Sequence, residues 1–379
     1  MASPLLDQAI QSLKEHPTLK VGDRVLAAMS GGVDSSVMAA LLHRAGYEVI
    51  GISMQLFDKK TTEGSAGKCC TLDDFQDARR VAHDCGFPHY VMDFEQRFRD
   101  QVIEGFIQSY LDGETPSPCI RCNQYLKFSS LMDRADELGA AFVATGHYAT
   151  VQFREGQWHL AKASDPAKDQ SYFLFHHTQA TLPRTLFPLA QLSKPEVRLL
   201  GTELGLHLAE KAESQEICFV TEGRYDDFIR GAGREPKAGE GEIRHVDGRV
   251  LGHHQGYWRH TIGQRRGLGV AFSEPLYVTR VDPALNVVWV GSESDLMGRE
   301  LLARDLSWTL DPPKGPLVCE ARIRSRSPEA EALVIPMGDG RVKVAFTEAQ
   351  RAIAPGQAVV FYRDGEVLGG GWIDANRVP

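Results

Sequence analysis

Two cysteines, Cys119 and Cys122, stand three positions apart in PSPCIRCN. A C-x-x-C pair is half a zinc site, a redox dithiol or one corner of an iron–sulfur cluster, and each needs further ligands or a further thiol. The other cysteines are Cys69, Cys70, Cys85, Cys218 and Cys319, seven in all. An odd set in a chain of 379 residues is not a disulfide framework, so grouped thiols point to catalysis or to metal. A second stretch is AMSGGVDSS, residues 28–36. Gly31 and Gly32 let backbone N–H groups approach an anion, Ser30, Ser35 and Ser36 add hydroxyls, and a following helix would add its positive end. The lysine and spacing of a Walker A loop are absent. The plain alternative is a Gly-Gly turn capped by Ser or Asp.

The elements that must position these residues alternate. RVLAAM (24–29), YEVIGISM (47–54), HYVMDF (89–94) and AFVATG (141–146) read as strands. Asp34–Gly46, Leu72–Cys85, Arg97–Leu111 and Asn123–Leu138 read as helices, giving an α/β fold: a parallel sheet with helices on both faces. The glycine loop then lies at the carboxyl edge of strand one, where such sheets bind ligands. LSKPEVRLLGTELGL (192–206) continues the pattern with Pro195 in its first turn. Beyond about Val220, Gly, Arg and His rise and short β segments follow, and from about Leu301 alternating strands and turns describe a small antiparallel β-barrel. The expected division is 1–220, a catalytic nucleotide-binding domain; 221–298, a small β-rich central domain; and 299–379, the barrel. Residues 58–68 read as a mobile loop.

Net charge is −8, yet residues 243–280 hold six Arg, four His and only Asp247 and Glu274 as acids. Binding follows the local field, so an RNA partner fits. The first residues read as an amphipathic helix capped by Ser3, without the order of a signal peptide, and no apolar run spans a membrane. A cytoplasmic protein is expected.

The 28–36 segment resembles the SGGxDS loop of the PP-loop pyrophosphatase superfamily. That resemblance implies ATP cleaved between its α and β phosphates, with pyrophosphate held by Ser30, Gly31, Gly32, Val33, Asp34 and Ser35, Ala28 and Met29 also at the ATP, Met54 near the adenine, Gly146 near the nucleotide, and Asp34 helping to hold Mg²⁺. Six segments, PSPCIRCNQYLKF, ATGHYA, KDQSYFLF, SQEICFV, HTIGQRRGLG and PGQAVVFY, together resemble the tRNA-specific 2-thiouridylases of bacteria and mitochondria, in the same order along nearly the whole chain. The resemblance implies adenylation of the C2 oxygen of the anticodon wobble uridine, then replacement of AMP by sulfur. Cys218 would carry a persulfide, loaded by a sulfur-relay protein or cysteine desulfurase. Cys122 would be the partner nucleophile, forming a transient Cys122–Cys218 disulfide, with its thiolate favoured at the start of the Asn123 helix. tRNA contacts would come from Ser117, Pro118, Cys119, His147, Lys168, Asp169, Gln170, Arg265, Arg266, Arg324, Ser325 and Gln357.

Each residue has a plainer reading: a buried small thiol, a core histidine, a solvated loop, a basic turn. Arg322, Arg324 and Arg326 are expected on one face of a strand, facing phosphates. Where part of the family has an acidic residue this chain has Cys119, and a thiol does not inherit general acid/base duty. Cys119, Cys122 and Cys218 therefore leave open a [4Fe–4S] cluster as the alternative sulfur route. The rival enzyme is another PP-loop ligase or amidotransferase; the rival without catalysis is an RNA-binding module.

Overall fold

The computed structural model of the chain describes residues 3–56, 72–211, 217–220, 225–236 and 239–375. The 58–68 loop, Cys69 and Cys70 lie outside them. Strands are numbered in chain order. β1 (Arg24–Ala28), β2 (Glu48–Gln55), β3 (His89–Asp93), β4 (Phe142–Ala144) and β7 (Thr185–Leu186) form one parallel sheet in the order β3-β2-β1-β4-β7. β1 is central, and Val25, Leu26 and Ala27 have no exposed surface, as a strand covered on both faces requires. Alternation sends Val25 and Ala27 to one face, against helices Pro4–Lys14, Val33–Arg44, Leu72–Cys85 and Lys194–Glu203. Leu26 packs on the other, against the helical segments 95–111 and 118–137.

Two helix ends follow their sequence signals. Ser3 accepts a hydrogen bond from Leu6 N at 3.2 Å. Ser193 N donates to Glu196 at 2.7 Å in a capping box, with Pro195 in the first turn. Two helices depart from regular spacing: over 99–103 and 123–130 the bonding widens from i→i+4 to i→i+5, the π-helical form. The second helix also begins earlier than expected, at Pro118 rather than Asn123. Ser117 and Pro118 supply the start.

The central domain is a four-stranded sheet, β10 (Tyr277–Asp282), β11 (Val287–Gly291), β8 (Gly241–His245) and β9 (Val250–His254), in that order. The C-terminal strands β12 (Met297–Trp308), β15 (Val342–Arg351), β14 (Ala330–Pro336), β13 (Leu317–Arg322), β16 (Ala358–Arg363) and β17 (Glu366–Ile373) are neighbours in that order. β12 pairs back onto β17, closing a six-stranded antiparallel barrel. A hairpin from far upstream, β5 (Thr150–Arg154) and β6 (Gln157–Ala161), joins the barrel sheet through Val367 opposite Leu160.

The three arginines do not share a strand. β13 ends at Arg322, and Arg324 and Arg326 lie in the bend that follows. Arg322, 18% exposed, pairs with Asp169 and Glu329, both at 3.5 Å. The Arg324 guanidinium donates to Ile262 O at 3.2 Å and Ala352 O at 3.0 Å, tying the central domain to the barrel. Of the three, only Arg326 is exposed.

Both later domains grip the stretch that leads into PSPCIRC. Tyr257 OH donates to Leu111 O at 2.7 Å, Arg304 pairs with Glu114 at 3.0 Å, and Thr115 N donates to Pro355 O at 2.8 Å. Gln357 Nε2 donates to Thr115 O at 2.8 Å and Pro116 O at 3.3 Å.

Candidate active site

The glycine loop is built by close approach. Gly31 has φ of +74°, a left-handed conformation that costs a side chain strain. A Cβ there would also collide with Asp74, whose Cα would be 2.6 Å away. A Cβ on Gly146 would lie 2.9 Å from Ser35 N, so the end of β4 and the start of the Val33 helix touch through bare backbone. Ser35 Oγ donates to Gly32 O at 3.1 Å and accepts from Ser30 N at 3.1 Å; the two serine hydroxyls are 3.2 Å apart. Small polar groups and a helix start thus face one spot, as an anion requires.

Behind the loop, Lys211 Nζ donates to Gly31 O at 3.0 Å and to Asp74 and Asp77 at 2.7 and 2.6 Å. Lys194 Nζ donates to both oxygens of Asp34, at 2.6 and 2.8 Å, and Tyr148 OH donates to the same carboxylate at 2.8 Å. Lys194, Lys211 and Tyr148 were not read from the sequence. Nothing local distinguishes them, because their partners lie between 114 and 180 positions away.

A cavity of about 310 Å³ opens on this loop. Ala28, Met29, Ser30, Asp34, Ser35, Met54, Gly146, His147 and Gln170 line it, as do Pro118, Cys119, Cys122 and Cys218. Gly31, Gly32 and Val33 shape the loop without lining the cavity. Two thiols 96 positions apart in sequence are therefore neighbours of the phosphate cradle. Cys119 is exposed, Cys218 half-buried and Cys122 buried. Since the helix begins at Pro118, Cys119 sits in its first turn and Cys122 ends that turn. The positive end of the helix therefore lies nearer to Cys119 than to Cys122, a consequence of the earlier start. Among the described residues no three His, Cys, Asp or Glu side chains are grouped to hold a metal ion. Cys119, Cys122 and Cys218 are not gathered into such a group, though all three line the one cavity.

Cys218 is held by its neighbour. Phe219 is buried and lies edge-on to Phe98 and Phe106, at 5.7 and 4.9 Å between centroids, with Phe228 at 5.3 Å. Truncating a ring so packed costs about 3–5 kcal/mol. Phe219→Ala is expected to lower thermal stability and to slow any reaction of Cys218 more than any reaction of the nucleotide alone, which separate rate measurements would show.

Of the remaining expected residues, His147 Nδ1 shares a hydrogen bond of 2.8 Å with Thr145 Oγ1. Burial, together with Lys127 and His177, holds its pKa well below the ordinary range. Gln170 Oε1 accepts from Tyr148 N at 2.9 Å. Asp169 is turned inward, accepting from Ser171 Oγ at 2.9 Å and pairing with Arg322. Lys168 is half-buried and outside the cavity. Arg265, Arg266 and Ser325 are exposed, and neither of these two arginines forms an ion pair among the described residues. The other four arginines of the basic stretch are paired: Arg244 with Glu242, Arg249 with Asp247, Arg259 with Asp226 and Arg280 with Asp282.

Two further histidines, His176 and His177, pack with the cavity-lining His147 around Phe128. His176 stacks on His177 at 4.8 Å, and Phe128 touches His147, His176 and His177. Burial pushes His177 down to about 3 and His176 well below its ordinary value. A histidine with a lower pKa folded than unfolded takes up its proton on unfolding. Stability is then fully present above about pH 6.5 and is lost as pH falls from there toward the folded value. His177 alone contributes a slope of about 1.4 kcal/mol per pH unit in that window. Denaturant midpoints between pH 7 and 5 should fall with pH, and less steeply in His177→Asn.

Comparison with known proteins fits this site. The chain matches the family profile described as the tRNA methyl transferase HUP domain over residues 23–222. It matches the tRNA methyl transferase PRC-barrel domain over 227–292 and the aminomethyltransferase beta-barrel domain over 298–373. It is 49% identical over 366 residues to the tRNA-specific 2-thiouridylase MnmA of Geobacter metallireducens, covering 94% of this chain and 98% of that one. This chain belongs to the tRNA-specific 2-thiouridylase family. The same family's protein from Rickettsia massiliae is 47% identical over 360 residues, 94% of this chain and 98% of that one. The profile descriptions speak of methyl transfer, whereas these near full-length relatives are thiouridylases, and the longer match decides the family. Among solved structures, the U34-tRNA thiolase NcsA from Methanococcus maripaludis aligns with 60% of this thiouridylase and 70% of its own chain, at 18% identity and a TM-score of 0.38. A likeness that loose carries no functional weight.

Proposed function

We propose that this chain converts the wobble uridine of tRNA to 2-thiouridine, using ATP to activate the C2 oxygen and a Cys218 persulfide to deliver sulfur. The supporting observation is that Cys122 and Cys218 line the same cavity as the Ser30–Ser35 anion cradle. A urea-like oxygen leaves poorly, so it must first be joined to AMP. The uracil O2 attacks the α-phosphorus, and the bond to pyrophosphate breaks. The terminal sulfur of the persulfide then attacks C2, and the C2–O bond breaks with its electron pair leaving on AMP. The Cys122 thiolate attacks Cys218 Sγ, the sulfur stays on the base, and a disulfide remains for a thiol reductant to open.

Ser30, Ser35 and the backbone of Gly31 and Gly32 would bind pyrophosphate, with Met54 beside the adenosine. Asp34 accepts three hydrogen bonds from Lys194 and Tyr148 and keeps lone-pair capacity. It would hold Mg²⁺, whose remaining ligands come from phosphate and water. Arg265 and Arg266 are exposed cations that would meet tRNA phosphates, and Lys168 would lie beside them on the tRNA path. Asp169, Arg324 and Gln357 would act on tRNA indirectly, by fixing the loops that meet it. The sulfur donor would be a relay protein or a cysteine desulfurase. The test is incubation with unmodified tRNA, ATP and a desulfurase–cysteine sulfur source, followed by nucleoside mass spectrometry. 2-Thiouridine supports the reading; pyrophosphate release with no thiolated nucleoside overturns it in favour of another PP-loop ligase.

A further inference from the structure

Lys127 lines the cavity, as the thiols and His147 do, and is half-buried. The other two lysines around the loop are matched, Lys194 to Asp34 and Lys211 to Asp74 and Asp77. Lys127 forms no ion pair or hydrogen bond through its ammonium among the described residues. A half-desolvated ammonium without a counter-charge is unfavourable, which points to an anion supplied by a ligand.

Helix geometry says how it got there. Lys127 follows Cys122 by five residues, and on an α-helix five residues turn a side chain about 140° away. Over 123–130 the bonding is i→i+5, with Leu131 N donating to Leu126 O. In that register each turn takes more residues, so positions five apart come nearer to one face than on an α-helix. The wide turns therefore bring Lys127 closer to the face that carries Cys122.

Two anions could meet it, the Cys122 thiolate or a nucleotide phosphate. His147 decides between them. It follows Gly146, which rests on Ser35 N at the start of the phosphate-binding helix, and it feels the charge of Lys127. Lys127 and His147 thus line one cavity with both the phosphate cradle and the thiols. If Ser30–Ser35 holds pyrophosphate, the α-phosphate falls in the rest of that cavity, which the ammonium lines.

We propose that Lys127 is a catalytic residue that contacts the α-phosphate and serves as counter-ion to the adenylated base. This rests on the reaction proposed above. As O2 bonds to the α-phosphorus and the pyrophosphate bond breaks, charge on the equatorial oxygens is met by the ammonium. When sulfur attacks C2, the electron pair of the C2–O bond leaves on AMP, and the same ammonium holds the phosphate. Lys127 keeps its proton throughout.

The test compares Lys127→Met and Lys127→Arg with the unaltered protein by calorimetric binding of AMP and of adenosine. It adds tRNA-dependent ATP–pyrophosphate exchange and the pH profile of Cys122 alkylation in a Cys119→Ser, Cys218→Ser background. Lys127→Met is expected to weaken AMP about tenfold to a hundredfold, the value of a charge-assisted hydrogen bond, and to leave adenosine binding unchanged, which also reports the fold. Exchange should slow by about a hundredfold, with partial recovery in Lys127→Arg, while the alkylation profile stays in place. Wild-type affinity for AMP in Lys127→Met overturns the proposal, as does an alkylation profile moved to higher pH with AMP binding unchanged. Failure of the unaltered protein to thiolate tRNA would remove the parent reading alone, since AMP against adenosine is read without tRNA or sulfur.

Discussion

Cys218→Ser is expected to abolish tRNA thiolation, by a thousandfold or more, while tRNA-dependent ATP–pyrophosphate exchange continues at a rate near that of the unaltered protein. A hydroxyl cannot carry sulfane sulfur, and residues that act as one unit each remove nearly the whole effect. Exchange should survive because no group of the Ser30–Ser35 cradle is bonded to Cys218; they share only the cavity. Cys122→Ser should fail at a later point. Cys218 can still be loaded, so the variant should accumulate protein heavier by one sulfur, visible by intact mass spectrometry and removed by thiols. Cys119→Ser should lose activity only modestly, because Cys119 is the exposed member of the three. Substantial thiolation by Cys218→Ser would sink the persulfide route, and a nearly complete loss in Cys119→Ser would revive the three-cysteine alternative.

Gly31→Ala should be the most damaging single methyl in the N-terminal domain. Its φ of +74° costs alanine about 1 kcal/mol, and the new Cβ would lie 2.6 Å from Asp74 Cα, with backbone rather than a flexible side chain in the way. Helix Leu72–Cys85 would have to move, and Lys211 would lose its simultaneous hold on Gly31 O, Asp74 and Asp77. A total near 3 kcal/mol is expected from the known mechanisms of large mutational loss. Nucleotide affinity should fall more than tenfold, since the backbone N–H groups that face the anion shift together. Denaturant titration and calorimetric ATP binding check both effects. Unchanged stability and affinity would show that the loop is an ordinary turn.

Much of this was legible in the sequence because it is local or periodic. Four of the five sheet strands of the first domain were readable within one or two residues, since each is a short apolar run after a helix; β7, two residues long, leaves no such run. The glycine loop announced itself by composition. Cys122 and Cys218 could be joined only through resemblance, because no local pattern links positions 96 apart. The helix carrying Cys122 was placed five residues late, since Pro118 looked like part of the entry loop rather than the first helical residue. The wide turns of 123–130 were invisible because hydrophobic spacing was read at 3.6 residues per turn. Arg322, Arg324 and Arg326 were spaced like a strand face, but the strand stops and Arg324 turns inward to carbonyls of two other segments. Such long-range satisfaction of a buried guanidinium leaves no trace in spacing.

The grip of the barrel on residues 114–116 bears on how the enzyme comes into being. Pro355 and Gln357 hold Thr115 and Pro116, the approach to both thiols of PSPCIRC. During synthesis the nucleotide-binding layer can close early, as amino-terminal domains do. The sulfur side of the cavity takes its final shape only when nearly the whole polypeptide has left the ribosome. A nascent or truncated chain should therefore be able to hold ATP before it is able to spend it on sulfur, which keeps an activated nucleotide away from thiols that are not yet in register.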